Sequence, residues 1–266
     1  MVSEISALFK EIRTKRTLVH HITNYVTVND CANVVLAIGA NPVMADDPEE
    51  VEDMVSICDA LVINIGTLNE RTVSSMIKAG KKANAKNIPV ILDPVGVGAT
   101  PFRFETAATL LKEVHFSVIR GNMAEIKVIA GLHAKRAGVD SLEEEENGVS
   151  IARTLAQKLG CVIAITGKVD VVSDGKQCYS IFNGHTALTR LTGTGCMSSS
   201  LIGCFLGSSK KPLHSAIAGI VCMGIAGEMA SKSLGLGSFK VNLMDSIAVM
   251  DEVICLEKAK IEPSNQ

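Results

Sequence analysis

The 266-residue chain has no tryptophan and only 3% aromatic residues, although 47% of it is hydrophobic. Its interior must therefore be built from Val, Ile, Leu, Ala, Met and Gly, the palette of a close-packed α/β protein. It also lacks an excess of one charge: the formal net charge of -2 gives no global field to gather nucleic acid or anionic lipid. Only a local phosphate site is left open. The longest apolar stretch, Ala216 to Ala226, falls well short of the ~20 residues a spanning helix needs, so no membrane partner is expected.

Further absences narrow the reading. Cys31, Cys58, Cys161, Cys178, Cys196, Cys204, Cys222 and Cys255 include no C-x-x-C pair and no framework spacing, so they read as reduced thiols of a cytosol. Met1-Val2-Ser3-Glu4 carries an early acid and no apolar region, the mark of neither a secretory signal nor a transit peptide, and a cytoplasmic location is expected. The Walker A pattern is missing, as is a G-x-G-x-x-G fingerprint in the first βα unit. No repeat, linker or low-complexity tract divides the chain, so one domain over residues 1–266 is expected.

Short β-branched runs alternate with longer amphipathic or Ala-rich runs, the pattern of a mostly parallel sheet with crossover helices. Ala60–Ile65, Pro89–Leu92, Phe116–Ile119 and Cys161–Ile165 are apolar but for Asn64 and Ser117, as strands covered on both faces should be. Helices are expected over about Glu70–Lys86, Arg103–Lys112, Met123–Ala130 and Gly148–Leu159, with Gly160 ending the last. Asp47-Pro48-Glu49-Glu50 reads as a helix start, with Asp47 as the cap and Pro48 at the first position. The Glu143 to Glu146 run reads as a solvated loop or helix start. Asp170–Gly175 and Gln177–Phe182 read as a hairpin turning at Asp174-Gly175, and Thr194 to about Cys255 as three helices. Gly219, Gly224 and Gly227 make Leu213–Ala230 a buried packing helix.

Ligands of a parallel sheet bind at the carboxyl ends of its strands, and four loops there carry chemistry. Asp93, before a Pro/Gly turn, suits a turn cap and a Mg²⁺ ligand equally. Arg120-Gly121-Asn122 follows the next strand; Asn122 and Glu125 resemble a capping box, while Arg120 beside a helix start makes an anion site and Glu125 can serve a metal. Thr166, Gly167 and Lys168 offer a hydroxyl, amides and a cation to phosphate. Gly193-Thr194-Gly195-Cys196 opens a helix, where successive amides cradle an anion. Cys196 is read at the first helical position, where the helix field lowers a thiol pKa.

In this order the loops resemble the ribokinase-like superfamily, which implies a three-layer α/β/α fold with a mostly parallel central sheet. A Cys where that superfamily usually carries Asp is more particular. Together with His21–Thr27, Gly39–Met44, Asn64–Thr67 and Asp93–Gly98 it resembles the hydroxyethylthiazole kinases from about Val19 to Phe239. That resemblance implies ATP-dependent phosphorylation of 4-methyl-5-(2-hydroxyethyl)thiazole for thiamine salvage, with Mg²⁺ as cofactor. It places the thiazole near Asn24, Val26, Met44 and Gly193. Arg120, Asn122, Thr166 and Gly167 fall near the ATP phosphates, and Asp93 and Glu125 near the metal. Thr194, Gly195 and Cys196 are implied at the transfer point, and a homotrimer with shared active sites is implied as well.

Two readings compete with the resemblance. A kinase for another small alcohol, such as a hydroxymethylpyrimidine or pyridoxal, shares these phosphate loops, and an ADP-dependent hydrate dehydratase uses a similar scaffold. A nucleotide sensor without turnover is a third, opposed by the intact Asp93, Glu125 and Cys196. His20 and His21 adjoin in one strand, so their side chains point to opposite faces and do not share a metal.

Overall fold

The computed structural model describes residues 1–137, 148–232 and 235–264. In chain order its strands are β1 Leu18–Ile22, β2 Asn41–Met44, β3 Ala60–Asn64, β4 Val90–Asp93, β5 Val118–Asn122, β6 Val162–Thr166, β7 Asp170–Ser173, β8 Cys178–Ile181 and β9 Ile261–Pro263. The helices are α1 Val2–Lys15, α2 Val28–Ile38, α3 Val51–Ser56, α4 Glu70–Ala85, α5 Pro101–Glu113, α6 Met123–Ala137 and α7 Gly148–Leu159. They continue with α8 Thr194–Ser209, α9 Pro212–Ala230, α10 Leu236–Val249 and α11 Glu252–Lys258.

Among the described residues one nine-stranded sheet runs in the order β2-β1-β3-β4-β5-β6-β7-β8-β9. The first six are parallel neighbours, and β7, β8 and β9 add antiparallel pairs at one edge. This is the three-layer α/β/α arrangement expected. The two-residue period of a strand divides the apolar interior into two cores. On β3, Ala60 and Val62 pack into the core under α1, α2, α8, α9 and α10. Leu61 and Ile63 pack into the opposite core under α3 to α7.

Local signals explain the element ends. Asn69 caps α4 by accepting from the Thr72 amide, and Thr100 accepts from the Arg103 amide ahead of Pro101 at the start of α5. Gly160 takes a φ of 67° after α7. The α8–α9 pair is close enough that a Cβ on Gly219 would sit 2.7 Å from the Ile202 backbone nitrogen, which glycine alone permits. Helix α9 is long and apolar enough to cross a membrane by length and composition, yet 83% of its most apolar window is buried in this fold.

Three local expectations are corrected. Asp47 does not cap a helix: its Oδ1 accepts from the Glu49 amide in a turn, and α3 begins only at Val51. Among the described residues the segment from Thr194 forms four helices, because Asp251 caps a separate α11 by accepting from the Ile254 amide. Helix α6 extends beyond Ala130 to Ala137. Glu143 to Glu146 lie outside the described residues.

Candidate active site

Register brings the polar ends of the parallel strands into line. Asn64, the last residue of β3, pairs with Asp93, the last of β4, and Asn122 at the end of β5 pairs with Thr166 at the end of β6. The N-terminus of α8 comes to the same edge. Gly193 caps it at a φ of 89°, and the first helical bond runs from the Met197 amide to the Gly193 carbonyl at 2.8 Å. The amides of Thr194, Gly195 and Cys196 thus precede the helical ladder, as donors at a positive helix end.

A cavity of about 340 Å³ opens there, lined by Asn24, Val26, Thr27, Gly66, Val95, Arg120, Asn122, Glu125, Thr192, Gly193, Gly195 and Cys196. Residues from five separate segments converge on it. Arg120 lies across the glycine-rich turn: a Cβ on Gly195 would fall 2.6 Å from Arg120 Nη1, so glycine is required for the guanidinium to lie there. Nη2 of the same side chain donates to Thr166 Oγ1.

Asp93 sits behind this lining with no solvent exposure. Its Oδ2 accepts from Asn64 Nδ2 at 2.9 Å and from Ser199 Oγ at 2.8 Å. Oδ1 lies 3.7 Å from Arg120 Nη1 and has no hydrogen-bond partner. Burial pushes the Asp93 carboxyl up, while Arg120 and the Ser199 hydrogen bond pull it back. Glu125 is the capping acid of α6. Its Oε2 accepts from the Asn122 amide and its Oε1 from the Gly96 amide, while Asn122 Oδ1 accepts from the Glu125 amide.

Cys196 is the least buried of the eight cysteines, none of which forms a disulfide. Its Sγ accepts from Asn24 Nδ2 and Asn64 Nδ2, each at 3.3 Å. Two features of the sequence reading are corrected here. Cys196 stands at the third helical position and not the first, since Thr194 opens α8. Its thiol is pushed up and not down, by burial first and by the Asp93 charge second, against hydrogen bonds from Thr27, Asn24 and Asn64.

Other expected residues separate from this cavity. Met44 lines a neighbouring cavity of about 290 Å³ with His21, Thr23, Tyr25 and Arg71. Gly167 is exposed, with its amide donating to Asp170 Oδ1. The Thr194 hydroxyl donates to the Leu188 carbonyl at 3.1 Å. The two histidines diverge, His20 Nε2 meeting the Ala45 carbonyl and His21 Nε2 the Ser200 hydroxyl.

Sequence reasoning gave no individual role to Asn64, Thr27 or Ser199. Asn64 carried a signal, a lone amide ending an otherwise apolar strand. Ser199 lies three residues after Cys196, on the same helix face.

Comparison with known proteins identifies the family. The model of the Hydroxyethylthiazole kinase family matches residues 9–252. The hydroxyethylthiazole kinase of Alkaliphilus oremlandii is 57% identical over 265 residues, covering 98% of each chain. The solved hydroxyethylthiazole kinase from Pyrococcus horikoshii OT3 superposes with a TM-score of 0.91 at 38% identity, over 98% of this chain and 99% of that one. A ribokinase-like superfamily protein from Enterococcus faecalis V583 shares the fold alone, with a TM-score of 0.62 at 13% identity over 86% of each chain. The family match over residues 9–252 and the 57% identity over nearly the whole chain make this chain a member of the hydroxyethylthiazole kinase family.

Proposed function

We propose that this chain is the kinase its family implies, transferring the γ-phosphate of ATP to the hydroxyl of 4-methyl-5-(2-hydroxyethyl)thiazole in thiamine salvage. The observation that carries the reading is the approach of Arg120 to the glycine turn at the start of α8. A cation and a row of helix-terminal amides there face one space, as a phosphoryl group in transit requires.

Arg120, Asn122 and Thr166 contact the ATP phosphates, with Gly167 at the outer edge where its amide is held by Asp170, and the amides of Thr194, Gly195 and Cys196 receive charge on the transferring group. Asn24, Val26 and Gly193 line the acceptor side, and Met44 reaches the ring from the adjoining cavity. The raised thiol pKa favours a protonated Cys196 in the free enzyme. Cys196 accordingly orients the acceptor hydroxyl, and proton removal comes late in a loose transition state.

The donors suit magnesium. Asp93 Oδ1 is a buried carboxylate oxygen without a hydrogen-bond partner, directly behind the cavity that Glu125 lines. Among the described residues no three His, Cys, Asp or Glu side chains gather into a cage. Magnesium beside a nucleotide is commonly held by one or two carboxylates, water and phosphate. Asp93 and Glu125 would hold it, and it would supply neutralisation of phosphate charge.

A homotrimer with shared sites is part of the same reading. Tyr25 is 79% exposed and Val26, on the cavity lining, 58% exposed, which suits a wall completed by a second copy. The cytoplasm is the proposed location.

The test is ADP and thiazole phosphate formation from ATP, Mg²⁺ and the thiazole alcohol, with pyridoxal and hydroxymethylpyrimidine as competing acceptors. Product from the thiazole alcohol supports the reading. Turnover only with another acceptor, or only with a hydrate and ADP, overturns it.

A further inference from the structure

Arg103 lies outside the cavity, in the first turn of α5, yet its fork joins two of the loops that form it. Nη1 donates to the Val95 carbonyl at 2.6 Å and Nη2 to the Gly66 carbonyl at 2.6 Å. Val95 belongs to the loop after β4 and Gly66 to the loop after β3, and both line the cavity. A planar guanidinium with fixed donors suits such a two-carbonyl bridge, which a point charge on a flexible stem does not reproduce.

Each carbonyl leads on to a reactive group. The Gly66 amide donates to Asn64 Oδ1 at 2.8 Å, and Asn64 Nδ2 reaches Cys196 Sγ. Next to Val95, the Gly96 amide donates to Glu125 Oε1 at 2.9 Å. Gly96 itself has a φ of 64°, and a Cβ there would lie 2.7 Å from Arg103 Nη1, so the turn leaves room for this guanidinium.

We propose that Arg103 is a positioning residue for phosphoryl transfer, clamping the β3 loop to the β4 loop and so setting the separation of Cys196 from Glu125. Its role in transfer rests on the function proposed above; the clamp rests on the geometry alone. The stem of Arg103→Met fills the same space without donors, and the N-cap bond of α5 uses the main chain and is kept.

The experiment has two readouts on Arg103→Met and wild type. The first is steady-state kinetics with ATP and the thiazole alcohol: kcat falls between about tenfold and a hundredfold while KM for ATP stays within about twofold, as for a displaced reacting geometry. The second is the rate of iodoacetamide alkylation of Cys196, the least buried thiol, read by mass spectrometry well below the melting temperature; it rises severalfold as the loops part. A lowered melting temperature with unchanged kcat and unchanged alkylation overturns the proposal. Arg103→Lys, which keeps stem and charge without the fork, provides the same comparison if the Met variant is insoluble. If the wild type forms no thiazole phosphate, the proposed function fails, and the alkylation rates still decide the clamp.

Discussion

Asn64 and Cys196 are joined by a 3.3 Å hydrogen bond from amide to sulfur, and the same Nδ2 reaches Asp93 Oδ2 at 2.9 Å. One buried amide thus links the thiol at the head of α8 to the carboxylate at the end of β4. Its oxygen is equally committed, accepting from Asn24 Nδ2 and the Gly66 amide.

Replacing Asn64 by Leu should therefore cost more than a surface change. Its partners Asp93 and Asn24 are themselves buried, and each buried polar group left short of a partner costs about 1–3 kcal/mol. The expected loss is about 3 kcal/mol, read from the urea midpoint at constant m-value. A change below about 0.5 kcal/mol would show that the network relaxes around the gap.

Cys196→Ala should lower turnover by about tenfold while leaving ATP affinity nearly intact, less than the ~10²–10⁴ expected for loss of a committed base. Cys196→Asp should stay active, since Asn24 and Asn64 offer donors to a carboxylate there. Steady-state kinetics decide both; a 10⁴-fold loss in the Ala variant would restore the base role.

Gly195→Ala should be a strong loss-of-function change. Its Cβ would meet Arg120 Nη1 at 2.6 Å, so the guanidinium must move off the turn. Displacing one charge-stabilising donor costs on the order of 10²-fold in kcat. Wild-type kinetics in this variant would place the phosphate elsewhere.

His21 and Asp170 give stability opposite pH slopes. Burial holds the His21 pKa down at about 4, so between about pH 6.5 and 4 the unfolded chain binds the extra proton and stability falls as pH falls. Burial pushes Asp170 up to about 6, so between about pH 6 and 4 the folded chain binds the proton and stability is favoured as pH falls. Asp170→Asn removes only the second effect. Its urea midpoint should drop more steeply than that of the wild type from pH 7 to pH 5; parallel curves would count against the Asp170 shift.

Much of this molecule was legible in its sequence because the relevant physics is local. Apolar β-branched runs marked four central strands within a few residues, since strands covered on both faces admit little else. The Asn122–Glu125 box, the Asp174-Gly175 hairpin turn and the Gly160 helix end depend on neighbours a few residues apart. Asp47 does not cap because the backbone from Pro48 to Glu50 forms a turn and the helix begins only at Val51.

What only the tertiary structure decided depends on burial and on contacts between distant segments. The helix start at Cys196 argues for a lowered thiol pKa, yet desolvation and Asp93, 103 positions away, reverse the sign. Asn24 and Met44, both expected at the substrate, line different cavities, and Thr23 and Tyr25 on either side of Asn24 go with Met44. Local propensity therefore determined the alternation of elements and the kind of loop at each strand end. The packed sheet alone determined which loop groups meet, and which of them keep their protons.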